Sequence, residues 1–174
     1  MHTDLTLEAM SDAAWQSTGV YRRLTDWGSW SWQGRSQWIV NNPESGAKLI
    51  VEMEDDEPAW LLPTLNSLCE ILALPANWDS YGARPIELKA AASALECLDR
   101  VMRRDTIAPT AVPTVLGGIQ LEWHTRGINL EIEVSPQGRC YVYCQEDNTE
   151  WEGELTHNLL NRLHAAIQQL SQHS

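Results

Sequence analysis

Apolar residues recur along this chain with two periods, and the changes of period mark out its elements. Leu61, Leu65, Leu68 and Leu72 share one helical stripe between residues 59 and 74, which stops near Pro75. Leu88, Ala91, Leu95, Leu98 and Met102 form a second stripe, and Pro85 suits that helix's first turn. Two stripes separated by one connector predict an antiparallel helix pair. The period then drops to two in the glycine-led runs GGIQLEWH, GINLEIEV and GRCYVYCQ. Ile119, Leu121 and Trp123, then Ile128, Leu130, Ile132 and Val134, then Cys140, Val142 and Cys144 point to one side. TRG and SPQG are the turns between the runs. The helical period returns over 155–171 in Leu159, Leu160, Leu163, Ile167 and Leu170. Residues 106–116, with two prolines, read as a loop into the sheet.

The first third is less regular. Residues 5–16 suggest a short amphipathic helix with Leu7, Met10 and Ala14 on one side. WGSWSWQGRSQWIV follows, with Trp27, Trp30, Trp32 and Trp38. A hairpin is expected from 36–41, the turn NNPESG and 47–53, closed by the acidic run Glu54 to Glu57. The fold class is α+β: an antiparallel β-meander packed against an antiparallel helix pair and a C-terminal helix, with a Trp-rich N-terminal hairpin. The expected division is a Trp-rich N-terminal subdomain at 1–58, a short helix plus the hairpin, and an α+β core at 59–174.

Composition narrows the function. A chain of 174 residues with 43% hydrophobic and 21% charged positions can bury a real core. It has no apolar run of about 18 residues, the length a membrane helix needs. The acidic, amphipathic start lacks the basic and apolar regions of a secretory signal, so a cytoplasmic location is expected. The formal charge is −12, from 24 acids against 12 bases. Gripping phosphates takes Lys and Arg, so neither direct nucleic-acid binding nor a membrane surface is expected. An acidic surface suits a protein partner instead, including a basic or nucleic-acid-binding one. Cys69, Cys97, Cys140 and Cys144 have no CxxC spacing and no His at finger spacing, so no metal or other cofactor is expected. Nine Trp and no Phe favour half-wet positions and interfaces over a dry core.

Two places hold candidate chemistry. The polar side of the meander collects Gln120, Glu122, His124, Asn129, Glu131, Glu133, Tyr141 and Tyr143. Glu122, His124, Glu131 and Glu133 could bind a divalent cation or act as a general acid and base. An ordinary wet sheet face, or a protein-binding one rich in Tyr, is the commoner outcome for such a pattern. No GxSxG, GxxxxGK or GxGxxG is present. The connector NWDSYGARPI is the second place. There Asn77 can close the first helix in the left-handed conformation and Gly82 can supply a second positive φ. Asp79 can form an Asx-turn, and Trp78 and Tyr81 can pin the loop to the sheet. Exposed Asp79, Tyr81 and Arg84 would make it a recognition loop.

NWDSYGARPI together with PTVLGGIQLEWHTRGINLEIEV resembles a recurrent pattern, NWDxxGAxP with GGIxLEW, in a family of small uncharacterised bacterial and phage-borne proteins. The resemblance spans residues 75 to about 145. It implies no catalytic residue, and a setting in defence, counter-defence or toxin–antitoxin pairing. The leading reading is a non-enzymatic acidic interaction module, with Trp30, Trp32, Trp78, Asp79, Tyr81, Arg84, Glu131, Glu133, Tyr141 and Tyr143 meeting a protein. One alternative is a metal-dependent or acid/base enzyme built on the carboxylate and His cluster. The other is a small-molecule sensor with Trp30, Trp32 and Trp78 around a pocket.

Overall fold

The computed structural model describes residues 3–8, 20–25, 35–41, 46–53 and 57–171. Among them the helical stripes fold as the spacing predicts. Helix α1, Leu61–Leu72, buries Leu61, Leu65, Leu68 and Leu72. Pro63 falls in its first turn, where a missing N–H breaks no helical bond. Helix α2, Leu88–Val101, buries Leu88, Ala91, Leu95 and Leu98, and Met102 is buried just beyond it. Helix α3, His157–Leu170, buries Leu163, Ala166, Ile167 and Leu170. No helix among the described residues is long and apolar enough to cross a membrane.

The meander forms with the expected alternation and gains a strand on each side. Its central strands are β6 (Ile119–Thr125), β7 (Ile128–Val134) and β8 (Cys140–Glu146). β5 (Thr110–Pro113) and β9 (Thr149–Glu154) form the edges, giving an antiparallel sheet in the order β5-β6-β7-β8-β9. Where the sequence reads as a loop, β5 pairs Thr110 with Glu122 and Pro113 with Ile119. Proline is tolerated there because a strand at a sheet edge has one row of N–H groups with no ladder to serve.

The N-terminal hairpin is part of a larger unit. β3 (Arg35–Asn41) and β4 (Lys48–Met53) pair antiparallel in a four-stranded sheet of order β1-β4-β3-β2. The flanking strands are β1 (Thr3–Glu8) and β2 (Val20–Thr25). The helix expected over 5–16 is therefore a strand as far as Glu8, and its remainder lies outside the described residues. TDLTLE alternates, and its register sets Leu5 opposite Val51 and Leu7 opposite Leu49, so pairing with β4 overrides a weak helical period.

One buried cluster runs through the molecule. Trp38, Val40, Leu49 and Val51 of the first sheet join the helix stripes and Ile119, Leu121, Trp123, Leu130, Ile132, Val142 and Cys144 of the second. At its edge, Arg126 in the β6–β7 turn donates through Nη1 to the carbonyls of Gln169 (3.3 Å) and Ser171 (2.8 Å). A cation thus caps the C-terminal end of α3, where the helix leaves its carbonyls unpaired.

Candidate functional site

Strand alternation puts one side of every meander strand in water. In register across that side stand Gln120, Glu122 and His124 on β6, then Asn129, Glu131 and Glu133 on β7. Tyr141, Tyr143 and Gln145 on β8 face them and pair in turn with Glu154, Glu152 and Glu150 on β9. The structure thus gathers all six sheet residues singled out from the sequence, Glu122, His124, Glu131, Glu133, Tyr141 and Tyr143. It adds Glu150, Glu152 and Glu154, which the sequence reading leaves out. The alternation TEWEGE after the Asp147–Asn148 turn is the signal that reveals them, with half-buried Trp151 facing inward under Arg162 of α3 at 4.8 Å.

The polar groups of this face are tied to one another. Gln120 Nε2 donates to Glu131 Oε2 at 2.9 Å, diagonally across β6 and β7. His124 Nε2 donates to Glu122 Oε2 at 3.2 Å, and its Nδ1 donates to Asn129 Oδ1. Two acceptors on one ring match the doubly protonated imidazolium, and the hydrogen bond that His124 donates to Glu122 is the main reason its pKa is raised above the ordinary value. The Tyr141 and Tyr143 hydroxyls also titrate high. Desolvation leads in both; next come Glu152 beside Tyr141 and Glu150 beside Tyr143, each also accepting a hydrogen bond from the phenol.

Six carboxylates occupy this face, and no strand position on it is Lys or Arg. Glu122 stands directly opposite Glu131. Like charges at facing positions destabilise a sheet, so this arrangement is costlier than a mixed wet face. No three His, Cys, Asp or Glu side chains among the described residues converge closely enough to hold a metal ion.

The connector is a separate structure with its own logic. Asp79 Oδ1 accepts from the N–H groups of Tyr81 (2.8 Å) and Ala83 (2.9 Å), the expected Asx-turn. Those donors, Ala83 first, hold its carboxyl below the usual range. Asn77 does adopt a left-handed φ of 63°, but it does not close α1. The helix ends at Leu72 with right-handed Ala73 as its cap, because Pro75 disfavours helical backbone before it. Asn77 Oδ1 instead accepts from Gly82 N–H at 2.7 Å, and Gly82 supplies the expected positive φ at 97°.

Pro85 does not lie in the first turn of α2, which begins at Leu88. The N–H groups of Arg84 and Glu87 are committed elsewhere, to the carbonyls of Val115 and Gly117, each at 3.0 Å. The connector is thereby laced to the turn that leads into β6, joining the two halves of the sequence pattern. Trp78 is half-buried and its Nε1 donates to Arg84 O at 3.3 Å. Tyr81 pins nothing: it is 94% exposed, beside the exposed Arg84. Val115 and Leu116 on the opposing turn are 54% and 62% exposed. Backbone bonds, rather than aromatic packing, hold the two loops together. Trp30 and Trp32 lie outside the described residues.

Compared with known proteins, the chain matches no family model, no curated protein and no solved structure.

Proposed function

We propose that this chain is a non-enzymatic interaction module whose acidic sheet face binds a cationic surface on a protein partner, basic or nucleic-acid-binding. The observation that supports it is the acidic excess of that face: Glu122, Glu131, Glu133, Glu150, Glu152 and Glu154 with no Lys or Arg among them and His124 as the one basic side chain. A surface selected only for solubility does better with mixed charges, since mutual repulsion weakens the sheet without adding wettability. A complementary partner removes that penalty on binding and is drawn in quickly by the field. Tyr141 and Tyr143 stand between the acid rows as amphipathic anchors of the kind interfaces favour. The setting proposed with it follows the resemblance above, a bacterial or phage-borne defence, counter-defence or toxin–antitoxin pair located in the cytoplasm. Trp78, Asp79, Tyr81 and Arg84 extend the binding surface onto the connector.

The test is capture from the native host with wild-type protein and with Glu131→Gln, Glu133→Gln and Glu152→Gln combined. A stoichiometric protein should be recovered, with an association rate that falls as salt rises and falls again in the variant. The alternative built on Glu122, His124, Glu131 and Glu133 is favoured instead if purified protein holds a metal that Glu131→Gln removes. Capture that ignores both salt and these substitutions refutes the sheet-face assignment.

A further inference from the structure

The pairing of β8 with β9 fixes which way each backbone group of the last strand points. Leu155 N–H, just past β9, donates to Cys140 O at 2.9 Å, so these two residues form a hydrogen-bonded pair. Bonded and non-bonded pairs alternate along an antiparallel ladder. The register of Tyr141 with Glu154, Tyr143 with Glu152 and Gln145 with Glu150 therefore falls on the non-bonded positions. Gly153, Trp151 and Thr149 serve β8, and Glu150, Glu152 and Glu154 turn their N–H and C=O groups outward. Among the described residues no strand pairs with β9 on that outer side, and no other backbone bonds to those groups. The opposite edge differs: β5 lies against α1 and includes Pro113, which has no N–H to offer.

Helix α3 meets β9 on its inner face. Arg162 stacks on Trp151, and a β-carbon on Gly153 would stand 2.9 Å from Leu159 Cδ1. Trp151, Leu155, Leu159 and Leu160 are each half-buried, so apolar surface continues up to the edge. The same strand thus carries an acidic row on one face and an apolar strip on the other.

We propose that the outer edge of β9 is a docking site for an extended segment of a protein partner in which Lys or Arg alternates with apolar residues. The inference rests on the acidic-face reading above and specifies how the partner engages that face. Such a segment adds an antiparallel strand to the sheet, its backbone pairing with the outward groups of Glu150, Glu152 and Glu154. Residues opposite these three carry their side chains onto the acidic face, about 4.5–5.5 Å away at the β-carbon, where a base meets each glutamate. Residues between them lie beside Trp151 and Gly153 and extend the dry face toward Leu159. Binding offsets the repulsion along the acid row and satisfies the edge's backbone groups in one step. A second copy of this chain would set glutamate against glutamate, so charge complementarity selects a basic strand instead.

The test uses capped peptides containing Lys-Val-Lys-Val-Lys, titrated into isotope-labelled full-length protein and read by fluorescence anisotropy and amide exchange. The peptide should bind more weakly as salt rises, and it should slow exchange of the Glu150, Glu152 and Glu154 amides several-fold while leaving β5 unchanged. Lys-Lys-Lys-Val-Val, of equal charge, should bind several-fold more weakly. Backbone N-methylation of the lysines, whose N–H groups face β9 in this pairing, should abolish binding, whereas N-methylation of the valines should be tolerated. Glu152→Pro removes one outward N–H and spares the β8 ladder. It should weaken binding about tenfold more than Glu152→Gln, which removes only the charge. Salt-sensitive binding that ignores N-methylation and lysine order, with those amides unprotected, overturns the edge site and leaves the acidic-face reading standing. Absence of binding to any of the peptides at low salt also overturns the edge site, and capture from the host with the triple glutamine variant decides the acidic-face reading separately.

Discussion

Replacing Gly117 by Ala tests how the connector is held. Gly117 has a φ of +90°, and a β-carbon there would stand 2.6 Å from the carbonyl oxygen of Pro85. The backbone conformation alone disfavours an L side chain by about 1–2 kcal/mol. The clash is with main chain, so one loop must lift. Lifting breaks the bonds from Arg84 N–H to Val115 O and from Glu87 N–H to Gly117 O, each contributing about 1 kcal/mol. The total is about 3–4 kcal/mol, or a fall in Tm of roughly 10 °C for a domain of this size. Gly82→Ala is the matched control, because its φ is +97° but nothing lies within 4 Å of the added atom. It should cost only the conformational part, about 1–2 kcal/mol and roughly 4 °C. Guanidinium denaturation of both variants, with unchanged m-values, measures the difference. Equal destabilisation by the two substitutions would falsify the claim that these loops bear on one another.

Three further outcomes are expected. Screening the acidic face should stabilise the fold, so Tm should rise by a few degrees between about 0.01 M and 1 M NaCl as the Debye length falls from about 30 to 3 Å; Glu133→Gln should flatten that rise, and a Tm indifferent to salt refutes the repulsion. By NMR titration His124 should have a pKa above the ordinary value of about 6.5, and Glu122→Gln should lower it. Because the folded value is raised, His124 adds stability that is complete below the unfolded pKa and disappears as pH climbs through the folded one; an unshifted resonance refutes the pairing. Arg126→Gln should cost about 1–2 kcal/mol by freeing the carbonyls of Gln169 and Ser171. Hydrogen exchange should then speed up in the last turn of α3 and leave β6 and β7 unchanged.

Long, strongly periodic segments were legible from the sequence, and short or edge segments were not. Ile128, Leu130, Ile132 and Val134 alternate without exception, and α1 and α2 each repeat a stripe over several turns; such patterns have only one way to bury. β1 offers just six residues, too few to separate a period of two from a helical one, and its partner β4 lies far along the chain. β9 carries Gly153 and three glutamates, all poor strand formers, and owes its shape to pairing with β8. Asn77 shows a finer limit. Its preference for a left-handed φ was readable, but not the place where the chain would use it, since Pro75 had already ended the helix. The Asx-turn at Asp79 was local chemistry and was legible; the lacing of Arg84 and Glu87 to the β6 turn was tertiary and was not.

The meander ends in two edge strands, β5 and β9. An open edge is a template on which a second copy can grow the sheet, and charged side chains are a common guard against it. On β9 that guard is Glu150, Glu152 and Glu154, the outermost row of the acidic face. The charges that would attract a cationic partner therefore also keep these chains apart. Neutralising them, by acid or by substitution without a partner in place, should leave a protein that folds and then associates edge to edge, so its solubility and its recognition cannot be tuned separately.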